Sequence, residues 1–347
     1  MKQSFGQLQD GTAVSRYCLT NEQGVTVSLL DLGAVIHEIL VPDRSGQLAD
    51  ITLGFANAQD YAESTTYFGA VIGRHANRIK DGAFELAGQP YQLAKNNGAN
   101  HLHGGLMGFD KRLWTVGTVT ADSIEFSLIS VDGDQGYPGT LSVSVRYHLD
   151  NNNQLSIEYR ATTDRDTLVN LTQHSYFNLS GQLDSTVLDH QVQIFADRYT
   201  PVDVSLIPTG VIASVTGSAL DLTQATLLGD VIDQPNEQLR LAGGYDHNYV
   251  LNSAGDLTQP AAIVRHPASG RVLTLYTDLP GMQFYSGNFL AERTVGKQGV
   301  AYPQRGGLCL ETQLFPDAPN QPNFPSSILR TGDTWHSTTL LRFSIDD

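Results

Sequence analysis

Apolar and polar residues alternate with a period of two along much of this 347-residue chain, the period of strands that bury one face. Ile124, Phe126 and Leu128 would share one face of such a run. So would Leu141, Val143, Val145, Tyr147 and Leu149; Leu155, Ile157 and Tyr159; Val192 and Ile194; and Leu341, Phe343 and Ile345. Turn formers separate the runs, notably Asp132-Gly133-Asp134, Asp150-Asn151-Asn152-Asn153 and Ser253-Ala254-Gly255-Asp256. The asparagine cluster predicts a hairpin between the run ending at Leu149 and the one beginning at Leu155. Helical periodicity is scarce: a short turn over Ala58 to Glu63 capped by Asn57, and another near Gln224 to Val231. The pattern predicts an all-β chain of antiparallel sheets packed face to face with few short helices, though alternation alone does not separate a sandwich from a barrel. No linker, charge block or fixed-period repeat divides the sequence, so residues 1–347 read as a single domain.

Composition sharpens this picture in a few places. The 33 glycines and 14 prolines suit many short strands joined by turns, and charged residues are only 16% where about 25% is usual. A net charge of −15 repels polyanions, which argues against nucleic acid or an anionic membrane surface and favours a neutral ligand. Two cysteines, Cys18 and Cys309, are too few for a disulfide framework and fit a reducing compartment. The start of the chain lacks the apolar core of a secretory signal, and no run approaches the ~18 apolar residues of a membrane span. The expectation is a cytoplasmic protein. In that setting the sequons at Asn170 and Asn178 read as chance matches.

Candidate chemistry lies in four polar, turn-rich motifs: Leu102-His103-Gly104-Gly105, Gln173-His174-Ser175-Tyr176-Phe177-Asn178, Tyr245-Asp246-His247-Asn248 and Leu310-Glu311-Thr312. Two imidazoles and two carboxylates are tools of proton transfer. No nucleophile elbow, phosphate loop or dinucleotide fingerprint accompanies them, which points to acid/base work without covalent catalysis or a bound cofactor. On an extended backbone His101 and His103 would share a face. This leaves open either a metal pair or one locally bonded histidine beside a glycine turn; no His-Glu-x-x-His pattern supports zinc.

Glu311 interrupts the apolar run Gly307-Leu308-Cys309-Leu310, so its carboxyl should be partly desolvated with a raised pKa, unless an arginine simply pairs with it. Asn77 and Arg78, at the end of Gly73-Arg74-His75-Ala76-Asn77-Arg78-Ile79, and Gln283 in Pro280-Gly281-Met282-Gln283-Phe284-Tyr285 offer planar donors near aromatic rings. That combination suits sugar hydroxyls and sugar C–H faces. Cys309 would face the same side as Glu311 but has no adjoining base, so it reads as an inert buried thiol.

Taken together, the Gly73 to Ile79 segment, Leu102-His103-Gly104-Gly105, Gly108-Phe109-Asp110-Lys111, the His174 motif, Asp246-His247-Asn248, Gln283 to Phe289 and Leu310-Glu311-Thr312-Gln313 closely resemble the aldose 1-epimerase (galactose mutarotase) family in order and spacing. Two small departures stand out. Gln173 replaces a frequent asparagine, and Leu314-Phe315-Pro316-Asp317 lacks the tryptophan that often precedes the proline. The resemblance implies a large antiparallel β-sandwich of the galactose mutarotase type that interconverts α and β anomers of a free hexose. It further implies Glu311 as base at the O1 hydroxyl, His174 as acid at the ring oxygen and His103 as their assistant. Asp246 would accept hydrogen bonds from sugar hydroxyls, with Asn77, Arg78 and Gln283 donating or positioning. No metal or other cofactor is expected, the partner is a small-molecule aldose substrate, and the protein is expected to be a monomer or homodimer.

Three other readings are weaker. A non-catalytic sugar-binding module would not need both Glu311 and His174. Hydrolysis of a glycoside by Asp246 and Glu311 fits the linked motifs less well. A phosphosugar epimerase would require an arginine cluster that this acidic chain does not display.

Overall fold

The computed structural model describes residues 2–290 and 294–346. Its largest sheet has nine strands in the order Thr115–Val119, Ser123–Ser130, Leu141–Leu149, Gln154–Thr163, Thr334–Ile345, Arg271–Thr277, Ala262–Arg265, Gln191–Ile194 and Thr226–Leu227. A second has six: Tyr176–Phe177, Leu308–Gln313, Gly281–Tyr285, Asp246–Val250, Arg198–Tyr199 and Ala213–Ser214. An N-terminal sheet of five consecutive strands runs from Lys2 to Asp50. Every pairing within these three sheets is antiparallel.

The alternation read from the sequence is the burial pattern of the structure. Leu141, Val143, Val145, Tyr147 and Leu149 are buried while Ser142 is exposed, and the predicted hairpin forms with Leu149 opposite Leu155. Alternation lapses at the last strand's end, where Ile345 is 38% exposed beyond buried Phe343. The inward residues of the nine-stranded sheet meet Tyr249, Met282, Phe284, Leu308 and Leu310 of the six-stranded sheet in one apolar cluster, which Tyr17, Leu19, Val27 and Ile39 of the N-terminal sheet extend. Each such fully buried side chain contributes about 1.5–3 kcal/mol, so this shared core is what holds the layers together. The Thr312 and Thr339 hydroxyls, 2.6 Å apart, join the two larger sheets through it. The architecture is therefore a sandwich rather than a barrel.

Helices are short. Ala58–Glu63 is capped by Asn57 as expected, with the Asn57 side chain accepting from the Asp60 N–H. The second expected helix shrinks to Leu228–Val231 because Thr226–Leu227 pairs as a strand. A third, Glu237–Ala242, was not anticipated, although Asn236 caps it and Gly243 ends it with a left-handed residue. No helix among the described residues is long and apolar enough to cross a membrane.

Candidate active site

Strand register decides which residues of the six-stranded sheet face away from the core. Glu311 pairs with Gln283, and Asp246 pairs with Tyr285, which pairs with Cys309. Directly paired residues share a face, so these side chains project together while Met282, Phe284 and Leu310 point inward. Over that outer face lies a cavity of about 560 Å³, whose lining includes Tyr67, Asn77, Arg78, His103, His174, Asp246 and Glu311. A polar cluster on one strand face has thus become a pocket wall.

His174 is held by its backbone, which donates to the Ala70 carbonyl and accepts from the Gly69 N–H, each at 2.9 Å. Its ring is 5% exposed, with Nε2 3.5 Å from Glu311 Oε1 and Nδ1 3.6 Å from the Cys309 sulfur. Gln173, the departure beside it, donates to the Gly69 carbonyl and accepts from the Ser175 hydroxyl, so it fastens the strand and leaves the chemistry alone. At the other departure, the Leu314 N–H donates to Asn170 and Phe315 packs against Phe324, away from the reacting groups.

His103 arrives on a turn. Its φ is +51°, and the next residue, Gly104, sits at φ +85° where a Cβ would collide with the Gly73 carbonyl oxygen. This corrects the expectation that His101 and His103 share one face, because the backbone is not extended there. His101 is a structural residue, bonded at 2.7 Å to the Ala94 carbonyl and at 2.7 Å to the Tyr137 hydroxyl. His103 instead accepts from the Asn77 N–H at Nδ1, 3.2 Å away, so the neutral ring carries its proton on Nε2 as a donor. The atoms of His103, His174 and Glu311 that could bind a cation lie within 4.8 Å of one another. A His103 ring with Nδ1 occupied and Nε2 protonated offers no lone pair, so the trio suits proton transfer better than coordination.

Asp246 accepts from Gln283 Nε2 at 2.6 Å and lies 3.6 Å from Arg78 Nη1. Gln283 lies behind the lining, so its link to the pocket runs through Asp246. The Asn77 side chain accepts from the Arg78 N–H, and Arg78 Nε donates to Asn97 Oδ1 at 3.1 Å. Arginine is therefore spent on Asp246 and Asn97. Among the described residues Glu311 has no arginine partner in contact, and its Oε2 is buried without a hydrogen-bond partner.

That difference sets the electrostatics. Burial pushes the Glu311 carboxyl well above its ordinary 4.5, and the nearby Asp246 charge adds to the effect against Arg78. Burial also lowers His174 from 6.5 to about 4 and holds His103 well below 6.5. The Cys309 thiol is pushed up, again mainly by burial, and stays protonated. All four groups are driven toward their neutral forms.

The sequence reading brought together Glu311, His174, His103, Asn77, Arg78, Asp246 and Gln283, and these do lie in or against one cavity. It passed over Tyr67 and Asn97. Tyr67 touches the rings of both His103 and His174, yet it lies in a segment with no periodicity. Asn97, in Asn96-Asn97-Gly98, carried the composition of an ordinary turn. His247, which the sequence offers only as a member of the Asp246 motif, accepts the Asp246 N–H at Nδ1, 3.1 Å away, and so steadies that carboxylate's backbone.

A β-sandwich with a buried histidine–glutamate pair in a cavity walled by amides, an arginine–aspartate pair and aromatic rings suits an enzyme that moves protons on a polyhydroxylated ligand. Residues 15–342 match the family model described as aldose 1-epimerase. Galactose mutarotase from Mus musculus is 46% identical over 342 residues, covering 98% of this chain and 97% of that protein. Aldose 1-epimerase from Escherichia coli (strain K12) is 39% identical over 336 residues, covering 96% of each. Among solved structures, the aldose epimerase homologue from C. elegans superposes with a TM-score of 0.90 at 32% identity, covering 96% of this chain and all of that one. Galactose 1-epimerase from Lactobacillus acidophilus gives 0.87 at 27% identity, covering 100% of this chain and 99% of that one. The chain belongs to the aldose 1-epimerase family, and its sandwich is of the galactose mutarotase type.

Proposed function

We propose that this aldose 1-epimerase interconverts the α and β anomers of free hexoses such as galactose and glucose, with Glu311 as general base and His174 as general acid. The observation that carries the assignment is the buried pair itself: His174 Nε2 and Glu311 Oε1 face each other at 3.5 Å on the wall of the cavity.

Ring opening needs two coordinated proton movements. Glu311 takes the proton of the O1 hydroxyl, the C1–O5 bond breaks as the C1 carbonyl forms, and O5 receives a proton from His174. Rotation about C1–C2 presents the other carbonyl face, and the same groups run the steps in reverse. Before opening, the pair is a carboxylate and an imidazolium; afterwards it is a carboxylic acid and a neutral imidazole. Burial favours the second state for both groups, so the desolvated pocket works in the direction of ring opening. Two positioned proton-transfer groups supply about 10²–10⁴-fold each, which suits a reaction that already proceeds in water.

His103, protonated at Nε2, donates to the oxygen that gathers charge. Asp246 accepts from sugar hydroxyls, held in place by Gln283 and Arg78. Asn77 fixes the turn that carries Arg78 and His103. The reading also keeps one domain over residues 1–347, a cytoplasmic location, no nucleic-acid partner and a monomer or homodimer. Polarimetry tests the activity: freshly dissolved α-D-galactose and α-D-glucose should reach equilibrium faster with catalytic protein, and glucose 6-phosphate should not. Traces that overlay the buffer control for every free hexose would overturn the proposal.

A further inference from the structure

Burial sets the His174–Glu311 pair a problem. A fully buried imidazole resists the positive charge that an acid must carry, and a fully buried carboxyl resists ionisation, so a proton shared between them rests mostly on the carboxyl. The productive arrangement, imidazolium with carboxylate, is the minor one unless something stabilises the cation.

The groups facing His174 can be counted off among the described residues. Glu311 Oε1 is 3.5 Å from Nε2, and the Cys309 sulfur, kept as a neutral thiol by burial, is 3.6 Å from Nδ1. The His103 ring centroid is 5.2 Å away, and burial keeps that ring neutral. Asp246 favours the cation from a distance, but its charge is shared with Arg78. What remains is aromatic. The Tyr176 ring stacks on His174 at 5.1 Å with 23° between planes, and the Tyr67 ring stacks on it at 5.7 Å and 28°. Both distances lie within the ~6 Å over which a ring face attracts a cation, an interaction strengthened when water is excluded. Burial raises both phenols, so they stay neutral and present their faces only.

Neither ring is there by default. Tyr67 occupies the left-handed region at φ +58°, a costly conformation for a bulky residue. Its neighbour Phe68 is 1% exposed and packs against Phe55, Tyr176 and Tyr302, which anchors the strained turn. Tyr67 also meets His103 edge-on at 4.7 Å, so one ring contacts both histidines of the site. Tyr176 is fixed by pairing with Cys309 on the strand that carries Glu311.

We propose that Tyr67 and Tyr176 are positioning residues whose aromatic faces stabilise the His174 imidazolium and so set how often the pair adopts its productive protonation. The inference rests on His174 being the acid. Its test is the pH profile of kcat/KM for wild type, Tyr67→Leu and Tyr67→Phe, read with the histidine titration of the ligand-free proteins by NMR, the His174 signal being assigned by its loss in His174→Asn.

Wild type should fall on the acid side through about pH 4, where the pair takes a second proton. Losing one aromatic face in Tyr67→Leu should move that edge, and the His174 titration, down by about one unit and lower the plateau about tenfold. Tyr67→Phe keeps the face and should restore both. A Tyr67→Leu enzyme that loses activity with its acid edge and His174 titration unmoved would overturn the inference, reducing Tyr67 to a packing residue. Equal losses in Tyr67→Phe and Tyr67→Leu would also overturn it, by assigning the effect to the hydroxyl. Failure of the underlying assignment looks different: His174→Asn would then retain wild-type activity whatever the tyrosine variants do.

Discussion

Two clusters among the described residues combine histidines with one carboxylate, and they differ in how completely their bonding capacity is used. At Asp189 every relevant atom is committed. His190 Nδ1 lies 2.9 Å and His266 Nε2 3.1 Å from the two carboxylate oxygens, while the other ring nitrogens accept from the Leu179 and Ser269 N–H groups. The histidines therefore donate, and the His190 hydrogen bond, the largest influence, holds Asp189 down to about 2 despite partial burial. In the cavity, Glu311 keeps one oxygen unbonded among the described residues and meets His174 at a long 3.5 Å, and its carboxyl shifts the opposite way. The same residue types make a fastener in one place and, in the proposed function, a reactive pair in the other. Unused hydrogen-bonding capacity beside a cavity is what separates them.

Substitutions should sharpen this contrast in a graded way. Glu311→Gln removes the proposed base without adding bulk and is expected to lower kcat by about 10⁴-fold while circular dichroism and the melting temperature stay close to wild type. His174→Asn should cost about 10²–10⁴-fold in kcat. Arg78→Ala should act mainly on KM, raising it by roughly 10–100-fold, because Arg78 orders Asp246 and the pocket wall but moves no proton. Asp189→Asn should leave kcat at the wild-type level and instead cost about 1–2 kcal/mol of stability in urea unfolding, the value of charge-assisted bonds discounted for an exposed carboxylate. Loss of catalysis in Asp189→Asn, or a large stability loss in Glu311→Gln, would erase the distinction.

The smallest effects lie in the pH dependence of stability, where the two clusters should separate by window. His174 is lowered on folding from 6.5 to about 4, so its contribution is fully present above about pH 6.5 and is lost as pH falls toward 4. Asp189 is lowered from 3.8 to about 2, so its contribution persists to about pH 4 and is lost only below. Urea unfolding across pH should therefore show His174→Asn flattening the slope between about 6.5 and 4. Asp189→Asn should flatten it only below about 4.

Much of this was legible in the sequence because it rests on short-range rules. Period-two alternation located five strands of the nine-stranded sheet, the asparagine cluster located the hairpin, and Asn57 announced its helix. Glu311 could be singled out because a carboxylate directly after Leu308-Cys309-Leu310 interrupts a strand that ought to be buried, and its raised pKa follows from that position. What the sequence hid depends on chain geometry across long separations. Whether His101 or His103 would enter the site turned on a positive φ at His103 and the close approach of Gly104 to Gly73. Tyr67 reaches His174 across more than a hundred residues, from a turn with no pattern of its own. Asp189 and His190 stand adjacent without any motif, and His266, which completes the fastener, comes much later in the chain. The helix Glu237–Ala242 had readable ends in Asn236 and Gly243 but is too short to show a period.

The central claim, that the undercommitted Glu311–His174 pair does the chemistry, is tested most directly by the polarimetric approach of α-D-galactose to equilibrium with equal amounts of wild type, Glu311→Gln and Asp189→Asn. Wild type and Asp189→Asn should accelerate the approach equally, while Glu311→Gln should follow the buffer trace. Acceleration by Glu311→Gln at the wild-type rate would contradict the account.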